Sequence, residues 1–170
     1  RYAFHGFADV SDGQAGVALF TRGMRELEPL AEEGTTLSLT LLRSMTQTFP
    51  IHGDVFVPFE KEESQCLGEQ TFEYALYFHK GDWREGNVLA ESRQYHAPMV
   101  AAQHGKGRRG DLPLNMSFLN LENPLVNVSA IKFAEDEDRL VVRLNNPTGD
   151  PIEEKLRLFR HVRKARLCEL

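Results

Sequence analysis

One short run of the chain has the residue types and spacing of a metal site. His52-Gly53-Asp54 shows the His-x-Asp pattern of zinc-type centres, because imidazole nitrogen and carboxylate oxygen both bind such cations. A protein zinc site takes roughly three or four protein ligands. A second His and a second Asp would have to converge on this Pro- and Gly-rich loop, so we predict no metal site in the chain.

A second run could support proton transfer. His79 lies close to Asp82, and a carboxylate that orients an imidazole is the arrangement that general base catalysis needs. The same residue types are common in turns, where they bind backbone groups while a neighbouring aromatic, here Trp83, covers the edge of the core. We favour the turn.

Acidic pairs could supply the two carboxylates of a glycosidase, which lie about 5–10 Å apart. Asp9 with Asp12 is one candidate pair, and Glu32 with Glu33 is another. Acids this close in sequence normally lie on solvated surfaces. The acidic run within residues 134–139 lacks the Gly and terminal Glu of a calcium loop and is typical of a hairpin connection. None of these acidic groups stands out as a catalytic pair.

Arg43 is the one side chain for which we predict a functional role. It follows an uncharged, strand-like run, and a guanidinium at the end of a sheet can reach a hydroxyl-rich ligand or a neighbouring domain. An ion pair across the sheet edge is the alternative, and both remain open. The basic loop Gly105–Gly110 could bind an anion, but its composition favours a mobile surface loop.

These side chains must be positioned mainly by short strands. Apolar and polar residues alternate with the period of two that is typical of half-buried antiparallel strands. The alternation is clearest in the runs 35–41 and 71–78, and it recurs in 16–21, 114–118, 126–130 and 140–144. The run 152–162 fits a strand or a helix, and we favour a strand.

The segment Asp82–Tyr95 predicts a helix. Asp82 could cap it, Val88, Leu89, Ser92 and Tyr95 could share a face, and Pro98 would end it. Together the runs predict an all-β fold, an antiparallel β-sandwich with one short helix, in a single domain that spans residues 1–170.

Composition limits the class of protein. The 170 residues are 41% hydrophobic and 26% charged, which is typical of a globular domain. A net charge of -5 argues against a nucleic-acid partner. No apolar run approaches the roughly 20 residues of a membrane helix, so we predict no membrane contact and a cytoplasmic location.

The chain opens on Arg1 rather than Met, from which we expect a piece of a longer polypeptide. Cys66 and Cys168 are predicted to be buried thiols rather than a disulfide.

Several motifs, in order along nearly the whole chain, resemble the C-terminal region of glycoside hydrolase family 38, the metal-dependent α-mannosidases and their relatives. No single motif is highly specific, and their shared order carries the resemblance. They are Phe7–Gly13, Thr40–Ser44, Gln65–Gly68, Phe72–Ala75, His79–Trp83, Ser129–Lys132 and Val142–Asn146.

The resemblance implies a retaining hydrolase of α-mannosides, with a carboxylate nucleophile and a zinc-type divalent metal. In that family the metal ligands and the nucleophile belong to an N-terminal α/β barrel, so the resemblance implies that no catalytic residue lies among these 170 residues. The C-terminal β region packs on the barrel and lends an arginine to the edge of the substrate pocket, and Arg43 is our candidate for it. The expected partners are therefore the barrel of the same polypeptide and an α-mannoside or mannosylglycerate-like substrate.

Two alternatives stay open. An independent carbohydrate-binding module would use surface aromatics such as Trp83 or Tyr95. A pure interaction domain would instead present an exposed apolar face that normally covers a barrel.

Overall fold

The computed structural model describes residues 1–30, 36–45, 62–103, 105, 107 and 110–168. The chain folds into two compact units, Arg1–Val88 and Leu89–Leu170. No helix among the residues described has the length and the apolar character needed to cross a membrane.

The first sheet of the N-terminal unit has the strand order β2-β3-β6, with β2 at Phe7–Ser11, β3 at Ala15–Arg22 and β6 at Glu73–Lys80. Both pairings are antiparallel. The central strand β3 contributes more buried residues than any other element of this unit, because its side chains are covered on both faces. Its buried residues are Gly16, Ala18, Leu19, Phe20 and Thr21.

A tight turn joins β2 to β3. The Asp12 carboxylate oxygen Oδ1 accepts the backbone N–H groups of Gln14 at 2.8 Å and Ala15 at 2.9 Å. Gly13 has a φ of 87°, which a side chain would disfavour. The acid that sequence reasoning placed on a solvated surface therefore fixes the register of the hairpin.

The second sheet of this unit has the order β1-β4-β5, with β1 at Tyr2–Ala3, β4 at Glu26–Leu30 and β5 at Thr36–Leu39. Leu37 and Leu39 are half-buried while Thr36 and Ser38 are exposed, as the alternation predicted. Side chains of both sheets line one apolar cavity of about 400 Å³. They are Val10, Val17, Leu19, Leu37, Leu39, Leu41, Tyr74 and Leu76.

Strand β6 is confirmed, but its apolar side chains lie on the less buried face. Ala75 and Tyr77 are half-buried and His79 is buried, whereas Tyr74, Leu76 and Phe78 are 56%, 55% and 73% exposed. Periodicity locates two faces of a strand without telling which one the rest of the fold covers.

The predicted helix begins later than its capping residue. Asp82 Oδ1 accepts the N–H groups of Arg84 at 2.8 Å and Glu85 at 3.1 Å, so it caps a single turn. Asn87 then takes a left-handed φ of 55°, which interrupts the helical path. Helix α1 therefore spans Val88–His96.

The face predicted for this helix is confirmed. Val88 and Ser92 are buried, while Leu89 and Tyr95 are half-buried. The Arg93 guanidinium donates from Nη2 to the carbonyl of Val126 at 2.9 Å, which ties the helix to the segment before the next hairpin.

The C-terminal unit contains two antiparallel strand pairs. Strands β8 (Asn127–Phe133) and β9 (Leu140–Asn145) form a hairpin, and β7 (Leu119–Asn120) pairs with β10 (Arg157–Leu158). The predicted strand at 114–118 is wrong, since Leu114 is fully exposed and the strand starts at Leu119. The C-terminal run forms only the two-residue strand β10.

The all-β class with antiparallel strands and a short helix is confirmed. A 3-10 helix at Glu62–Gln65 is the remaining helical element of the described residues. The sandwich arrangement and the single domain over residues 1–170 stay predictions. His52-Gly53-Asp54 and the pair Glu32 and Glu33 lie outside the described residues, as does much of the loop Gly105–Gly110.

Candidate functional site

Arg43 lies just beyond β5 and contacts a carboxylate at the start of β4. One guanidinium nitrogen, Nη2, donates to both oxygens of Glu26, at 2.9 Å to Oε1 and 2.8 Å to Oε2. The Thr40 hydroxyl also donates to Glu26 Oε1 at 2.9 Å. The ion pair that sequence reasoning held as the alternative is therefore present.

The pKa of Glu26 lies below its usual value. The hydrogen bond from Thr40 contributes most, and the positive charges of Arg43 and Arg1 add to it. The carboxylate is thus ionised at neutral pH. Because its folded-state pKa is lowered, the stabilisation from these contacts is present above the unfolded pKa and is lost as pH falls through the folded one.

A cavity of about 370 Å³ adjoins this ion pair. It lies where β4 begins and β5 ends, so it combines backbone from a hairpin with charged side chains. Its lining residues are Ala3, Gly23, Met24, Arg25, Glu26, Thr40, Leu41 and Arg43. Glu26 therefore fixes the Arg43 guanidinium at the wall of an open cavity, which is compatible with a ligand contact from the other nitrogens.

His79 has a different partner from the one considered in the sequence. Its Nε2 lies 2.7 Å from Asp9 Oδ1, and the two side chains are 1% and 9% exposed. Its Nδ1 lies 3.3 Å from the carbonyl of Lys80. Asp82 does not orient the ring, because its carboxylate caps the following turn.

The His79 ring is enclosed on both sides by glycines. A Cβ atom added to Gly16 would come within 2.6 Å of the ring Nε2, and one added to Gly86 would come within 2.8 Å of the His79 Cβ. The Tyr77 ring stacks beside it at 5.9 Å, and the Tyr77 hydroxyl donates to the Gly86 carbonyl at 3.1 Å. A substrate has no room at this imidazole, so the His79–Asp9 pair is structural.

The pair was missed because its members are 70 residues apart in the sequence. Asp9 lies on β2 beside the central strand. Because Asp12 is close to it in the sequence, the two acids resemble a solvated acidic surface. The glycine at position 16, inside the strand β3, is the sequence signal of a side chain packed closely above it.

The aromatic residues considered for sugar binding are not open platforms. Trp83 is half-buried, packs on Phe7 with ring centroids 6.0 Å apart, and is covered by the Arg84 guanidinium at 5.1 Å. Tyr95 is half-buried on α1. Neither residue favours an independent carbohydrate-binding module.

The remaining candidates have local structural roles. The acidic run joins β8 to β9, with the N–H of Ala134 bound to the carbonyl of Arg139 at 2.9 Å, so the predicted hairpin connection is confirmed. Within the residues described, no three His, Cys, Asp or Glu side chains come close enough to hold a metal ion. Cys66 is half-buried and Cys168 is exposed, both as thiols, so the predicted burial is wrong for Cys168.

Comparisons with known proteins agree with the resemblance read from the sequence. A crystal structure of a protein in glycosyl hydrolase family 38 from Enterococcus faecalis matches 92% of this chain with 30% identity and a TM-score of 0.75. Mouse alpha-mannosidase 2C1 is 27% identical over 169 residues. A Halalkalibacterium halodurans protein named "putative mannosylglycerate hydrolase" is 26% identical over 138 residues. No family model matches the chain.

The matches cover only part of each relative. The chain spans 14% of the two curated relatives and 18% of the Enterococcus faecalis chain. The sequence and structure matches together confirm the resemblance to the C-terminal region of family 38.

Proposed function

We propose that this chain, a C-terminal region of the glycoside hydrolase family 38 kind, belongs to a larger α-mannosidase-type enzyme and packs on its catalytic barrel. In this proposal it contributes Arg43 to the edge of the substrate pocket. The substrate would be an α-mannoside or a mannosylglycerate-like glycoside, which the names of the relatives suggest.

The observation that carries the proposal is an exposed apolar stripe on β6. We call Tyr74, Leu76 and Phe78 the β6 stripe; each is more than half exposed, and they project from one face of one strand. Tyr74 and Leu76 also line the apolar cavity of about 400 Å³, so Phe78 is the member of the stripe that lies outside that cavity. Clustered apolar side chains of this kind usually mark a surface that another protein part covers.

The pairing of β6 supports the same conclusion. Among the described residues it pairs with β3 alone, so no described strand covers the backbone hydrogen-bonding groups of its other edge. An exposed edge strand with large apolar side chains is a liability unless something covers it.

The occupant that we favour is the rest of the same polypeptide. The relatives have long additional sequence, since the chain matches only 14–18% of their length. A second copy of this chain is the competing occupant, and the test below separates the two.

The chemistry would reside outside this chain. The resemblance implies that the zinc-type divalent metal and the carboxylate nucleophile of a retaining mechanism belong to the barrel. The role of this chain is then to cover the barrel and to position one guanidinium, held by Glu26, near the ligand.

The β6 stripe can be tested on the purified chain with a hydrophobic dye and a separately expressed family 38 barrel region. We expect the chain to bind the dye and the barrel to displace it. Burying a Phe contributes about 1.5–3 kcal/mol, so Phe78→Ser should weaken barrel binding about tenfold or more.

The matched control is Leu67→Ser. Leu67 is 74% exposed in the same unit but lies outside β6, so this variant should retain barrel binding. A chain that binds neither dye nor barrel would contradict the proposal. Self-association that Phe78→Ser abolishes, without any barrel binding, would assign the stripe to a second copy instead.

A further inference from the structure

The cavity beside Arg43 contains a second guanidinium that has no acidic partner. Arg25 is exposed at the end of the β3–β4 connection and lines the same cavity. Within the part of the chain that the structure describes, its side chain makes no hydrogen bond and no ion pair. A cation without a partner beside an open cavity is available to a ligand.

The other charges of this region are already used. Arg43 is held by Glu26, and Arg1 lies 3.8 Å from Glu26 and 3.4 Å from Glu28. The acids thus anchor these two cations, which leaves Arg25 as the uncompensated positive charge at the cavity.

Arg25 differs in this respect from the arginines around it in the fold. Arg22, three residues earlier, pairs with Glu73 at 2.9 Å, and Arg84 pairs with Asp82 at 3.1 Å. The missing partner is therefore specific to the cavity and is not a general property of the exposed arginines of this unit.

We propose that this cavity binds a small oxyanion, a carboxylate or a phosphate group, through Arg25, with Arg43 as the second donor. A guanidinium presents a planar set of N–H donors that matches both anions. The assignment deepens the role proposed for Arg43 and rests on that part of the proposed function, but not on docking to a barrel.

The size and lining of the cavity suit a small ligand. Its volume of about 370 Å³ is at the lower end of small-molecule sites. Ala3, Met24 and Leu41 provide apolar wall, on which a carbon skeleton can pack. The Glu26 carboxylate keeps Arg43 in place but also repels anions. An anion in this cavity therefore requires the unpaired positive charge of Arg25.

The chain itself can be titrated with three probes while its backbone amides are followed by NMR. D-glycerate carries a carboxylate, glycerol has the same skeleton without the charge, and inorganic phosphate represents the other oxyanion. We expect saturable shifts at Arg25, Thr40 and Arg43 with glycerate, phosphate or both, and none with glycerol. Added salt should weaken binding by screening.

Arg25→Gln should lower the affinity for the bound anion about tenfold, the loss expected when a charge-assisted hydrogen bond is removed. Arg22→Gln is the matched control, because it removes a neighbouring positive charge that does not line the cavity. It should leave the affinity unchanged.

Equal shifts with glycerol and glycerate, an unchanged affinity in Arg25→Gln, or no saturable binding of either anion would each overturn the inference. Binding of glycerate alone assigns a carboxylate, and binding of phosphate alone assigns a phosphate ester. The titration needs no barrel, so a failed docking test would not change its result. A failed titration would likewise not change the result of the docking test.

Discussion

At the scale of single residues, a buried pair organises the first sheet. His79 and Asp9 are joined at 2.7 Å across the sheet, with Gly16 of the central strand between them. A buried hydrogen-bonded pair contributes modest net stability when intact, but losing one partner leaves the other buried and unsatisfied, which costs more. The imidazole lies so close to the Gly16 backbone that a Cβ atom at this position would force a shift.

We predict that Gly16→Ala destabilises the chain, although alanine within a strand is normally more favourable than glycine. The new Cβ would lie 2.6 Å from His79 Nε2 and 2.8 Å from the Ser11 Cβ, so the pair would have to shift. The expected cost is about 1–3 kcal/mol, measured as a lower midpoint in thermal or denaturant unfolding.

Gly149→Ala is the matched control, since a Cβ there would meet nothing within 4 Å. It should leave stability unchanged or raise it by about 0.4–1 kcal/mol through the unfolded state. A Gly16→Ala chain as stable as Gly149→Ala would show that the His79 site tolerates displacement.

At the scale of elements, the turn between β6 and α1 decides where the helix begins. Asp82 caps the turn, and its pKa lies below the usual value because its carboxylate accepts backbone N–H groups. The hydrogen bond from Glu85 contributes most, and the one from Arg84 contributes less. Asn87 ends that turn in the left-handed region, which Asn tolerates better than most residues. The helix thus starts at Val88 rather than at the capping residue.

We expect Asp82→Ala to lower stability by about 0.5–2 kcal/mol, the usual cost of losing a capping oxygen. Asp82→Asn keeps an acceptor at the same place and should lose much less. Differential scanning calorimetry of the two variants would measure the difference, and equal losses would mean that the negative charge, not the acceptor, stabilises the turn.

At the scale of the whole molecule, the chain is a covering and positioning element in our proposal. It spans 14–18% of its relatives, and the side chains that we assign to a ligand, Arg25 and Arg43, bind without doing chemistry. The nucleophile and the metal would come from the remaining polypeptide.

We therefore expect the isolated chain to hydrolyse no aryl α-mannoside, with or without added zinc. The rate of aryl release would be followed by absorbance, with an intact family 38 α-mannosidase as the positive control. Zinc-stimulated turnover by the isolated chain would contradict the proposal that the catalytic groups lie outside it. If Arg43→Gln left that turnover unchanged, the role given to Arg43 would be contradicted as well.

Local sequence was sufficient for much of the secondary structure. The alternation of apolar and polar residues predicted β3, β5, β6, β8 and β9, because the period of a strand is a property of consecutive residues. It failed at 114–118, where the apolar residues alternate but find no partner strand. The order of the family motifs likewise needed no structure.

Pairings between distant residues required the tertiary fold. The sequence could place an alternating strand at β6, but only the sheet showed that Tyr77 and His79 face inward while Phe78 faces out. It could single out Arg43, but Glu26 as its anchor and Arg25 as its neighbour follow from the meeting of β4 with β5. Local periodicity is set by neighbours in the chain, whereas burial and ion pairing are set by neighbours in space.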